Sequence, residues 1–193
     1  VTDFLLFIDT EATGLPRNWE LPYSAPDNWP HAVQVSWLVY NREGVKIKEE
    51  DHYIKDPSVT ISPDAAKIHR LRRDWLQING KRRDSVLRLL EADLVRYEPL
   101  VVGHFLQLDL HVLGAEYHRE GMDNPTRLLP TYCTMLGSTH LQPNPSLRYL
   151  KLGALCETLF GRGQENPHDA YWDAKTTADC YFELIRRGHI QTL

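Results

Sequence analysis

Asp9 and Glu11 stand two residues apart at the end of a short apolar run, Phe4-Leu5-Leu6-Phe7-Ile8. On an extended backbone, positions i and i+2 project to the same side. Two carboxylates placed there repel each other unless a cation lies between them. Hard divalent ions with oxygen ligands, magnesium or manganese above all, are the natural occupants. Taken alone, such a pair reads first as two solvated acids in a turn. Two further aspartates change the weighing. Asp109 follows Gly103-His104 at the start of a helical pattern, and Asp173 comes five residues after His168 in the last helix. Three separate segments thus supply four carboxylates, each from an element that begins or ends near a sheet edge.

The elements that must position these groups are legible as patterns. Residues 4–9 read as a buried strand, and Ala32 to Tyr40 alternates with Val33, Val35, Trp37 and Val39 on one face. Asn41-Arg42-Glu43-Gly44 is a hairpin signal, and Val45 to Ile54 is the returning strand. Pro63 to His69 reads as a short helix with Pro in its first turn. Arg82 to Tyr97 is a longer helix with Val86, Leu89, Leu90 and Leu94 on one stripe. Leu100 to Gly103 is a brief strand, Leu108 to Glu120 a helix stopped by Gly121, and Thr131 to Met135 a last strand. Tyr149 to Phe160 is helical. The final helix has Asn166 as cap, Pro167 at its first position and Asp169 in its first turn, and runs to Arg187. Its inward residues are Ala174, Ala178, Tyr181 and Ile185. The pattern predicts an α/β domain with a mixed five-stranded sheet flanked by helices.

Length and composition agree with one domain over residues 1–193. Of these residues 42% are hydrophobic and 25% charged, the balance of an ordinary globular chain. No apolar run approaches the roughly 20 residues of a membrane span, and Val1-Thr2-Asp3 lacks the basic start of a signal peptide. No membrane partner is expected. Cys133, Cys156 and Cys180 are odd in number and far apart in sequence, which fits small buried thiols and a cytoplasmic location. The net charge of −4 argues weakly against nucleic acid. Bound metals would neutralise four acids, however, and Lys67, Arg70, Arg72, Arg73, Lys81, Arg82 and Arg83 crowd one short stretch. That stretch reads either as a solvated helix surface or as a phosphate track.

Asp9-Thr10-Glu11-Ala12-Thr13-Gly14-Leu15 resembles the first motif of the DEDDh 3′–5′ exonucleases, the superfamily of the bacterial replicase proofreading (epsilon) subunit. Gly103-His104 with Asp109 resembles the second motif, and His168-Asp169-Ala170-Tyr171-Trp172-Asp173 the third. Ile68-His69-Arg70-Leu71 is also similar to a stretch of that family. The sequence departs in placing Phe105 where Asn is common, Leu108 where Phe precedes the Asp, and Ala12 where Thr is frequent. These changes alter the lining of a pocket and remove no acid and no base.

The resemblance implies a ribonuclease-H-like fold and two divalent metal ions, Mg or Mn. Asp9 would bridge the metals, Glu11 and Asp173 would complete one site, and Asp109 would serve the other. His168 would be the general base. On a shared helix, His168 and Asp173 would lie about 140° apart, a placement that suits a base approaching from the side. Ala12, Thr13, Gly14, Leu15, His104 and Phe105 would touch substrate. The implied partner is nucleic acid, with single-stranded DNA favoured and RNA open, and a DNA polymerase or helicase is a further candidate. The rivals are an exoribonuclease of the same fold and an idle module docking on a polymerase or helicase.

Other features read more plainly. His104, His111 and His118 recur every seven residues, about 10.5 Å along a helix, too far apart for one zinc. Gly161-Arg162-Gly163 has no strand leading into it and fits a loop that carries His168 better than a phosphate cradle. Trp37 and Trp75 are expected in the core. Residues 16–30, with Trp19, Tyr23 and Trp29 among four prolines, form either a lid over substrate or a flap packed on the sheet edge.

Overall fold

The computed structural model describes residues 2–191; Val1, Thr192 and Leu193 lie outside them. The strands are β1 (Phe4–Ala12), β2 (Ala32–Asn41), β3 (Lys46–Lys55), β4 (Lys81–Arg82), β5 (Leu100–Gly103) and β6 (Thr131–Cys133). The helices are α1 (Pro63–His69), α2 (Arg73–Asn79), α3 (Arg83–Tyr97), α4 (Leu106–Arg119), α5 (Thr134–Gly137), α6 (Leu152–Phe160) and α7 (Ala170–Arg186). One mixed sheet runs in the order β4-β3-β2-β1-β5-β6. Strands β1 to β3 form an antiparallel meander, and β5 then lies parallel to β1 on its other side.

The α/β fold class holds, with six strands rather than five. The extra one, Lys81–Arg82, pairs with Ile54 and Lys55 and is too short to show alternation. A helix that periodicity does not reveal, α2, occupies Arg73–Asn79. Thr134 and Met135 leave the last strand and open α5. Along α3 the buried stripe includes Leu87, while Leu89 is exposed. Trp37 is fully buried, but Trp75 is 41% exposed, contrary to its expected place in the core.

Cross-strand register decides what each sheet face carries. Leu6 opposite Val39 and Ile8 opposite Trp37 point to the layer of α3 and α4, packing with Leu90, Val112, Leu113 and Tyr117. Leu5 and Phe7 point the other way, onto Ala178 and Tyr181 of α7, with Phe7 edge-on to Tyr181 at 5.5 Å. Truncating a side chain so placed, such as Phe7, removes about 3–5 kcal/mol. Both faces of β2 are therefore covered, which is why its alternation is between apolar and mildly polar residues. An ion network fixes α4 against β2. Fully buried Glu116 accepts the Ala32 N–H at 2.7 Å and meets Arg83 at 2.6 Å and Arg119 at 3.1 Å.

Candidate active site

The period of β1 sets the first two acids. Asp9 and Glu11 share the parity of Leu5 and Phe7, so they extend the α7-facing row where the apolar core ends. Asp9 lies opposite Ser36 and Glu11 opposite Gln34. A register shift between Glu11 and Ala12 then turns the chain out of the sheet. Thr13 secures that exit. Its N–H donates to the His31 carbonyl at 2.9 Å, and its hydroxyl accepts the His31 N–H at 3.0 Å.

Asp109 arrives from the opposite layer, in the first turn of α4. Its Oδ1 accepts both the Thr10 N–H at 2.9 Å and the Thr10 hydroxyl at 2.8 Å. The residue before α4, Phe105, has a φ of 65°, a left-handed conformation that is costly for a bulky side chain. Asn adopts that region more readily, so the departure from the family motif falls at a strained position. His104 beside it is half-buried with both ring nitrogens engaged, Nδ1 with the Thr134 hydroxyl and Nε2 with the Leu150 carbonyl, each at 3.0 Å. Burial drives its pKa down to about 4. It is a neutral wall with no spare hydrogen bond.

The start of α7 differs from expectation. Asp169, not Asn166, is the cap: its carboxylate accepts the N–H groups of Tyr171 at 3.1 Å and Trp172 at 3.3 Å. Asn166 and His168 have φ of 39° and 66°, so His168 rides on the preceding loop and shares no helix with Asp173. Gln34 of β2 holds this helix start. Its amide oxygen accepts the Ala170 N–H at 3.2 Å, and its nitrogen donates to Asp51 at 2.9 Å and Asp169 at 3.4 Å. The His168 N–H and the Gln164 amide both donate to Asp173. Sequence reasoning missed Gln34 and Gln164. The signal for Gln34 was a long polar residue in a strand whose other buried residues are apolar except Ser36.

Electrostatics single this cluster out. Burial, then the charges of Asp109, Asp173 and Glu11, holds the Asp9 carboxyl well above its usual range. Burial and Asp173 push Glu11 up to about 8. Asp109 rises to about 7 through burial, against the pull of Thr10. Asp173 also reaches about 7 through burial, opposed by the hydrogen bonds from His168 and Gln164. Among the described residues, no Lys or Arg forms an ion pair with any of the four.

A cleft of about 550 Å³ opens on the cluster. Asp9, Glu11, His168 and Asp173 line it, as do Ala12, Gly14, Leu15, His104 and Phe105. Asp109 lies behind Thr10 and Thr13 behind the exit loop, so neither lines the cleft. Thr10, Ser62, Asp64, Ala65, Ile68, His69, Leu108 and Leu152 complete the wall, of which Thr10, Leu108 and Ile68-His69 lie in or beside the motifs seen in the sequence. Glu11, His168 and Asp173 come closest together, with one ligand atom from each within 4.8 Å of the others.

The remaining candidates stay apart. His111 stacks on Trp29 at 4.8 Å and bonds the Tyr23 hydroxyl at 3.1 Å, away from His104. Gly114 lets Tyr23 lie on α4, since a Cβ there would run into its hydroxyl. Residues 16–30 thus pack on α4 and none lines the cleft; Trp19 reaches its rim only through Phe105.

Residues 6–181 match the family model RNase_T, described as an exonuclease. The chain belongs to the RNase_T exonuclease family. This agrees with the DEDDh motifs, and the observed α/β architecture is the ribonuclease-H-like exonuclease fold. One structural relative is E. coli exonuclease I in complex with a dT13 oligonucleotide. It is 18% identical with a TM-score of 0.77, over 95% of this chain and 41% of that one. The zinc-ion-bound form of the E. coli exonuclease I–single-stranded DNA complex is 18% identical at a TM-score of 0.79, over 97% and 41%. A moderately thermophilic exonuclease I from Methylocaldum szegediense is 19% identical at 0.76, over 95% and 40%. At such identities the likeness establishes the fold, and this RNase_T chain spans about two-fifths of their length. No curated protein matches in sequence. Among the described residues, no helix is long and apolar enough to cross a membrane.

Proposed function

We propose that this chain, one exonuclease domain over residues 1–193, is a two-metal-ion 3′–5′ exonuclease. It would release nucleoside 5′-monophosphates one at a time, with single-stranded DNA ends favoured. The observation that carries the reading is the cluster of four carboxylates, all pushed toward neutrality by burial and three of them also by charge within the cluster, with no Lys or Arg paired to them among the described residues. An all-carboxylate set of this kind fits magnesium or manganese. Asp9, Glu11, Asp109 and Asp173 would hold the ions. When bound, two such ions neutralise the cluster and stabilise the attacking and leaving oxygens of an in-line phosphoryl displacement.

The chain's own residues do the rest. Thr10 fixes one oxygen of Asp109 and leaves the other for a ligand. His168, exposed at the mouth of the cleft, accepts the proton of the attacking water, a task suited to an imidazole near neutral pH. Leu15 and Phe105 flank the terminal nucleotide. A second reading makes His168 a metal ligand, because its ring nitrogen lies within 4.8 Å of ligand atoms of Glu11 and Asp173. An idle docking module on a polymerase or helicase is disfavoured because all four acids and the His are present. The free cysteines support a reducing, cytoplasmic setting.

The test is degradation of end-labelled single-stranded DNA, duplex DNA and RNA, with magnesium and with EDTA. Stepwise loss from the 3′ end of single-stranded DNA, abolished by EDTA, is expected. A preference for RNA would move the assignment to the exoribonuclease. Digestion in excess EDTA, or attack from the 5′ end, would overturn the reading.

A further inference from the structure

Neither the core nor the cleft accounts for Trp75, or for most of the basic stretch around it. Register shows where this group lies relative to the acids. Glu11 is opposite Gln34 on β2, and Gln34 is opposite Tyr53 on β3, so the three side chains form one row on the same face. Two strand spacings put Tyr53 about 10 Å from Glu11. Trp75 of α2 meets Tyr53 edge-on at 4.7 Å, with ring planes 87° apart, and is left 41% exposed. A tryptophan braced by a second ring yet open to solvent is a ready platform for another flat ring.

Charge around the platform is positive where the strand would need it. Lys55 shares the parity of Tyr53, and Arg70 ends α1, whose Ile68 and His69 already line the cleft. Arg73 spends one N–H on the Pro57 carbonyl and keeps its charge. Among the described residues, none of these three has a carboxylate within ion-pairing distance, whereas Lys67, Arg72 and Arg82 are matched by Asp64, Asp74 and Asp84. Asp51 and Asp169 lie on the inner side of the row, bonded to Gln34. They would turn phosphates outward, toward Lys55, Arg70 and Arg73, and leave bases facing the rings.

We propose that Trp75, braced by Tyr53, is a stacking platform for a base upstream of the 3′ end in a single polynucleotide strand, with Lys55, Arg70 and Arg73 facing its phosphates. The inference rests on the nuclease reading for the strand's direction, but binding can test it without catalysis. The probes are a fluorescent dT20 oligonucleotide, read by anisotropy with calcium in place of magnesium, and the chromogenic ester p-nitrophenyl thymidine 5′-monophosphate. Trp75→Ala should weaken dT20 binding and raise KM on dT20 about tenfold, the scale of one lost base stack. Hydrolysis of the ester, which is too short to reach the platform, should stay unchanged, and Trp75→Phe should recover most of the binding. Arg70→Gln and Lys55→Gln should each flatten the salt dependence of dT20 binding. Melting temperatures within a few degrees of the parent confirm that each variant is folded. Equal dT20 affinity in the parent and Trp75→Ala would overturn the platform while leaving the nuclease intact. If neither substrate is cleaved, the functional proposal fails, and the anisotropy comparison still decides the platform.

Discussion

Two buried carboxylate sites in this molecule are built on opposite plans. Glu116, on the inner face of α4, has no exposure and is met by Arg83, Arg119 and a backbone N–H. Burial pushes its carboxyl up, and the two guanidiniums pull it back. Seven residues earlier in sequence, Asp109 joins Asp9, Glu11 and Asp173. Burial is the largest influence on all four, and like charge comes next for Asp9 and Glu11. The first site carries its counter-charge in the chain because its task is to hold α4 in place. Among the described residues the second has none, and four acids gathered without a paired Lys or Arg leave room for exchangeable ions. Burial is common to both; what separates structure from function here is where the positive charge comes from.

Substitutions should separate the two sites in kind as well as in size. Asp9→Asn should abolish nuclease activity and at the same time raise the melting temperature in EDTA by a few degrees, because it removes one of four repelling charges. A drop in that melting temperature would show that Asp9 is held by the fold as Glu116 is. His168→Ala should lower the rate by about 10²–10⁴-fold with metal affinity preserved, the expected loss of a general base. Calorimetric titration with manganese checks this. Loss of affinity equal to that of Asp9→Asn would instead make His168 a ligand.

Glu116→Ala should cost about 1–3 kcal/mol of stability, since it leaves the half-buried Arg83 and Arg119 without their shared carboxylate, Arg83 keeping Asp56 and Glu120. Chemical denaturation reads this, and manganese should not restore it. Trp19→Ala should have no larger an effect. With Trp19 packed on Trp29, Phe105 and His111, it should lower stability by about 1–3 kcal/mol and leave KM on dT20 unchanged. A raised KM at unchanged stability would revive residues 16–30 as a lid.

How much of this was legible in the sequence varies by residue. Asp9 and Glu11 could be placed because strand period alone puts them on one face, and the first three strands followed from alternation and a hairpin turn. The start of α7 was misplaced by three residues because Asn166-Pro167 carries the local signal of a helix cap. Asp169 carries an equal one, and Gln34, distant in sequence, decides between them by binding Asp169 and the Ala170 N–H. That shift moves His168 from the helix to the loop. Trp75 was assigned to the core because α2 itself, seven residues long, has too few turns to show a stripe. The strand Lys81–Arg82 exists only through its pairing with β3, which no local pattern encodes.

The central claim, that the four clustered carboxylates await cations, is tested most directly by melting the protein from pH 5.5 to 8.5 in EDTA and in manganese. Glu11, Asp109 and Asp173 bind protons more tightly folded than unfolded, with folded values of about 8, 7 and 7. Their contribution is therefore fully present below the ordinary carboxylate range and is lost as pH rises through 7 to 8. In EDTA the melting temperature should fall steadily across this window. Manganese, which replaces the protons, should restore it most at pH 8.5 and least at pH 5.5. A melting temperature that is flat with pH in EDTA and indifferent to manganese would contradict the account.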